Sequence, residues 1–155
     1  AKELLEIDYI PKDTDILKLE TLYGKIILDS MYKIKCQRNI FQLKYKHTGM
    51  GGYTITAKGA RYLLNKIQNR QLVLAIDTLI FDKLLNQREY KVMQLYPAVC
   101  IQDLIINGES KFKSSLQDGR ETVQANQTKT TPLEKVINEL GRIKRRIFGK
   151  PVPFK

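Results

Sequence analysis

The chain is poor in the residues that build metal and disulfide scaffolds. Its 155 residues include two cysteines, Cys36 and Cys100, in apolar, strand-like surroundings without CxxC spacing, and one histidine, His47. That stock argues against a structural zinc site and for two buried thiols in a reducing compartment rather than a disulfide. No apolar run approaches the roughly 18 to 20 residues of a membrane-spanning helix, and no secretory apolar segment opens the chain. Neither GxxxxGK[ST] nor GxGxxG occurs, so no nucleotide loop is signalled by motif. No internal repeat is visible. The most informative absence is of acid: residues 30–76 hold nine Lys or Arg and no Asp or Glu, within a net charge of +11. Such a segment makes a positive field for an anionic partner, or simply a solvated basic face.

What is present reads as one α/β or α+β domain, or a piece of one, with enough apolar content for a real core. Residues 1–11 begin as a helix would. DILKLE (15–20), IILDSMYKIKC (26–36) and NIFQLKY (39–45) read as strands. In KHTGMGGYTITAKGARYLL (46–64), Tyr53, Ile55 and Ala57 alternate with threonines as in a half-buried strand. Ala60, Leu63, Leu64 and Ile67 then follow at helical spacing, with Thr56 at the N-cap. DTLIFDKLLN (77–86) reads as a helix capped by Asp77, with Ile80, Phe81, Leu84 and Leu85 inward. VMQLYPAVCIQDLII (92–106) reads as extended and broken at Pro97. Residues 107–131 are polar and turn-rich. LEKVINELGRIKRRIFGK (133–150) is a basic amphipathic helix, suited either to an anionic membrane surface or to docking its apolar stripe on the domain.

HTGMGGYTITAKGARYLL, AIDTLIFDKLL, VMQLYPAVCIQD and FKSSLQD, in this order and spacing after DTDILKLE, resemble the second half of family 25 glycosyltransferases of lipopolysaccharide and lipooligosaccharide assembly. The resemblance covers Asp15 to Asp118. It implies a Rossmann-like, GT-A type fold, a nucleotide-sugar donor, a lipid-linked oligosaccharide acceptor, and a hexose transfer at the cytoplasmic face of the bacterial inner membrane. It also implies a divalent metal (Mn or Mg) held by a Glu-Asp-Asp motif. That motif is absent from this chain, so the fold is expected to be incomplete at its N-terminus and the metal ligands to lie outside it. The expected organisation is 1–118 as the C-terminal portion of the transferase domain, 119–132 as a linker, and 133–155 as the basic helix and tail.

By this resemblance Asp77 is the catalytic candidate, with N-capping as its structural alternative. His47, Gly49, Gly51, Gly52, Tyr53, Gln102, Asp103, Ser114 and Ser115 are substrate-binding candidates. Each has a plain structural reading too: a packed histidine, turn glycines, a rim aromatic, solvated loop serines. Asp13-Thr14-Asp15 spells DxD, but it precedes a strand instead of ending one and is not expected to hold metal. A non-catalytic nucleic-acid-binding module is the alternative from another class, resting on the acid-free stretch alone. No nucleic-acid motif supports it.

Overall fold

The computed structural model describes residues 10–34, 38–68, 75–85, 87–108 and 131–155. The expectations on residues 1–9, Cys36, most of the polar linker, Ser114 and Ser115 therefore lie outside the described residues. In chain order the elements begin with β1 (Ile16–Lys18), β2 (Glu20–Thr21), β3 (Lys25–Ile26), β4 (Leu28–Lys33), β5 (Asn39–Leu43) and β6 (Tyr53–Ile55). They continue with α1 (Ala57–Ile67) and α2 (Ile76–Thr78), which runs on into a π-helical turn over Leu79–Lys83. Last come β7 (Val92–Tyr96), β8 (Cys100–Ile101), α3 (Asp103–Asn107), α4 (Pro132–Phe148) and β9 (Lys150–Pro151).

Five strands form one open sheet in the order β4-β5-β7-β1-β6. β1 runs parallel to β7, and the other pairings are antiparallel. This is a mixed α/β sheet flanked by helices, the Rossmann-like class that the resemblance implies. Alternation along β1 sends Ile16 to one face and Leu17 to the other, and each meets its own apolar cluster. Ile16, Leu43, Leu63, Ile80, Phe81, Leu85 and Val92 build the larger one. Leu17, Ile40, Met93 and Leu95 build the smaller. With both faces covered, the middle of the sheet is buried throughout.

Ile80, Phe81, Leu84 and Leu85 face inward as the spacing predicts. Thr56 caps α1, its hydroxyl accepting from Gly59 N at 3.1 Å. Three local expectations are corrected. β6 is an edge strand, so Tyr53 and Ile55 are exposed rather than half-buried. Leu64 is 60% exposed, because α1 rests on Gly59 and Leu63, where it crosses the Asp15 carbonyl. Residues 103–107 coil into α3 rather than extending, closed by Gly108 in the left-handed region (φ 73°).

α4 lies on the domain through Gly141 and Arg145, with Gly141 against the Tyr45 ring. Its apolar stripe faces away: Leu133, Ile137, Leu140 and Ile147 are all exposed. The chain then returns to the domain. β9 pairs with β3, and Val152 is buried in the larger cluster with its carbonyl accepting from Thr21 Oγ1 at 2.6 Å.

Candidate functional site

β1 ends in Lys18 and β2 opens on Glu20, charged residues that alternation sets on the same face as the core residue Ile16. Lys18 and Glu20 share one face, and both side chains are fully buried. Burying a charge is costly unless it is paired and hydrogen-bonded. Lys18 Nζ meets Glu20 Oε2 at 3.2 Å, donates to Thr48 O at 2.9 Å and to Gly49 O, and sits 4.4 Å from the Phe81 ring centroid. Burial pushes the Lys18 ammonium below its ordinary pKa, and the Glu20 charge works against that shift. Glu20 accepts from Gly51 N at 2.8 Å and from Gln102 Nε2 at 2.5 Å. The pair thus holds the glycine segment from both sides, the cation taking its carbonyls and the anion an N–H.

This explains the glycines. Gly49 has φ 83°, and a Cβ on Gly51 would stand 2.7 Å from Glu20 Oε1. Gly52 O accepts from Leu19 N at 2.9 Å, tying the loop's end to the strand. Asp77 closes the other side, its Oδ2 accepting from Gly49 N at 3.1 Å and its Oδ1 from Thr78 N at 2.8 Å. Asp77 is not the N-cap. Ala75 occupies that position, and Asp77 lies within the first turn.

His47 is 8% exposed; its ring Nδ1 lies 2.5 Å from Thr48 O, and its backbone N–H donates to Phe81 O at 3.1 Å. Burial, reinforced by the Lys18 charge, pushes its pKa down to about 4, so the ring is neutral near pH 7. Gln102, half-buried, turns to Glu20, whereas Tyr53 lies on the exposed edge. Asp103 opens α3 and accepts from Asn107 Nδ2 at 2.5 Å. His47, Gly49, Gly51, Gly52, Asp77 and Gln102 thus converge on one strand end. Lys18 and Glu20, the centre of that arrangement, escaped the sequence reading. The signal available was a Lys-x-Glu at the end of a short apolar strand.

The described residues do not fit a metal. Among the described residues no group of three or more His, Cys, Asp or Glu side chains could hold one. In the DxD stretch the carboxylates part. Asp13 is exposed and pairs with Lys91 Nζ at 2.5 Å, which holds its carboxyl below the ordinary value. Asp15 is buried, accepting from Lys91 N at 2.8 Å and facing Lys58.

Comparison with known proteins gives concordant matches. The profile of glycosyltransferase family 25 (LPS biosynthesis protein) matches residues 1–80. A candidate glycosyltransferase of Haemophilus influenzae is 48% identical over 155 residues, all of this chain and 55% of that protein. The lipooligosaccharide biosynthesis protein lex-1 of the same organism is 34% identical over 94% of this chain and 49% of its own length. The lacto-N-neotetraose biosynthesis glycosyltransferase LgtE of Neisseria gonorrhoeae is 24% identical over 84% of this chain and 50% of its own. The chain spans about half the length of the curated relatives it matches. No solved structure matches.

Proposed function

Because the chain belongs to glycosyltransferase family 25, we propose that the complete protein transfers a hexose from a nucleotide-sugar to a lipopolysaccharide or lipooligosaccharide acceptor. On this reading the chain supplies the part of the site built on Lys18, Glu20, the 49–52 loop and Asp77. One observation carries it: of the segments that resemble the family, those holding Glu20, Gly49 and Gly51, Asp77 and Gln102 meet at the end of β1, where an open α/β sheet presents its ligand site.

The chemistry assigned to Asp77 is that of a general base. Two backbone N–H groups fix its carboxylate, and each oxygen keeps a lone pair for a substrate hydroxyl. In an inverting transfer it takes the acceptor hydroxyl proton as that oxygen bonds to the anomeric carbon. The bond to the nucleoside diphosphate breaks, and the electron pair leaves with the diphosphate. A divalent metal, if used, would be held outside the described residues, and no step is derived through it. The family match leaves the nucleic-acid alternative without support.

The acceptor reading also assigns α4 to an anionic membrane surface on the cytoplasmic face of the inner membrane, which is supported by its outward apolar stripe. No helix among the described residues is long and apolar enough to cross a membrane. The test uses the full-length protein with UDP-hexoses and truncated lipooligosaccharide. Asp77→Asn should fold and bind donor while turnover drops by about a hundredfold to ten-thousandfold. Near-normal turnover would reduce Asp77 to a loop anchor.

A further inference from the structure

Beside the glycine loop, two adjoining hollows of about 340 and 550 Å³ share Gly24, Lys25 and Arg145. The inner one reaches Lys46, Thr48 and Thr78, and the outer one Arg142. Thr48 and Thr78 are the chain neighbours of Gly49 and Asp77, so the groove leads from α4 to the proposed site. Its walls carry five Lys or Arg against two carboxylates, and Glu139, one of the two, is taken by Arg142 at 3.0 Å. Lys25 donates to the Arg146 carbonyl at 3.2 Å and Lys46 to Asn138 Oδ1 at 3.0 Å, both neutral acceptors. Arg145 is partly buried, and no carboxylate pairs with it among the described residues.

Basic residues in a last helical turn answer the helix dipole, which accounts for Arg145 as a helix residue. It does not account for Lys25 and Lys46, which come from other segments to the same hollow. A guanidinium partly out of water, paired with no carboxylate and sharing its hollow with two ammonium groups against the single carboxylate of Asp82, is a receptor for a planar or tetrahedral oxyanion. We propose that this groove binds a phosphate or carboxylate group carried by the acceptor saccharide, with Arg145 as the principal contact and Lys25 and Lys46 beside it. The assignment of the anion to the acceptor rests on the transferase reading; the anion site itself does not.

The experiment titrates the 155-residue chain with galactose 6-phosphate, galacturonate and uncharged galactose, following backbone amide resonances. The two anions should shift Lys25, Thr48 and Arg145, and galactose should not. Arg145→Gln should weaken galactose 6-phosphate binding about tenfold, and Arg145→Lys less. A native spectrum for each variant excludes misfolding, and Lys46→Gln should give a smaller loss at the same amides. Equal shifts with galactose, or shifts unaffected by Arg145→Gln, would overturn the site. Phosphatidylglycerol vesicles test the other source of the same chemistry. If they engage Arg145 while the sugar anions do not, the ligand is a lipid headgroup and the saccharide assignment falls. No arm requires turnover. A negative result therefore removes the groove and leaves the transferase reading, whereas intact anion binding with no transfer by the full-length protein does the reverse.

Discussion

At the scale of single residues, the buried Lys18–Glu20 pair organises everything near it. Glu20→Gln keeps an acceptor for Gly51 N but leaves Lys18 without its counter-charge, so it should destabilise the fold by about 3 kcal/mol. Adding Lys18→Met, which fills similar volume without charge, should recover much of that loss, as urea midpoints of the two variants would show. If the single and double variants are equally unstable, the pair is not coupled as its 3.2 Å contact implies. His47 gives a pH signature. Its folded pKa, about 4, is below the ordinary 6.5, so between these values the unfolded chain binds the extra proton. Its contribution is complete above pH 6.5, falls as the pH drops toward 4, and is at most about 3 kcal/mol. Chemical denaturation from pH 7 to 5 should show the decline, and His47→Gln should flatten it; an unchanged slope would mean that His47 is not held neutral. The Thr56 cap was legible because a cap is settled within four residues. Lys18 and Glu20 were not, since their burial depends on segments dozens of positions away in the chain.

At the scale of elements, periodicity succeeded where one face of an element meets one partner, as in 79–85, and failed at margins. β6 alternates correctly yet buries neither face, because among the described residues no strand pairs beyond it in the sheet. α1 carries its stripe but rotates so that Gly59 can approach the Asp15 carbonyl, leaving Leu64 outside. α4 inverts the usual rule, setting a small and polar face on the domain and its apolar stripe outward. Since the following β9 and Val152 are built into the domain, deleting the helix would damage the fold. Substituting outward residues would not. Leu140→Asp with Ile147→Asp should leave the melting temperature within a few degrees while abolishing co-sedimentation with anionic liposomes. The unaltered chain should bind those liposomes, release them in high salt, and ignore neutral ones. Retention of binding by the double variant would move the anchor elsewhere.

At the scale of the whole molecule, the proposed site at the sheet and the loop does not by itself meet every requirement of a transfer reaction. Departure of a nucleoside diphosphate needs its developing charge to be stabilised. Lys18 is committed to Glu20 and to the loop carbonyls, the groove cations are assigned to the anion of the acceptor, and the described carboxylates form no metal-binding cluster. The chain also matches only about half of each curated relative. Taken together, these points predict that the 155-residue chain alone gives no product from UDP-galactose or UDP-glucose with manganese and truncated lipooligosaccharide. A polypeptide of the relatives' full length containing this sequence should give product under the same conditions, measured as released UDP and as a mass increase of one hexose in the acceptor. The comparison separates two possibilities that the fold alone leaves together. If the short chain turns over, the groups around Lys18, Glu20 and Asp77 suffice for leaving-group stabilisation, and Lys18 must exchange Glu20 for the diphosphate during the reaction. If only the longer polypeptide turns over, the end of β1 serves as the positioning half of a site whose electrostatic half is supplied by the rest of the protein.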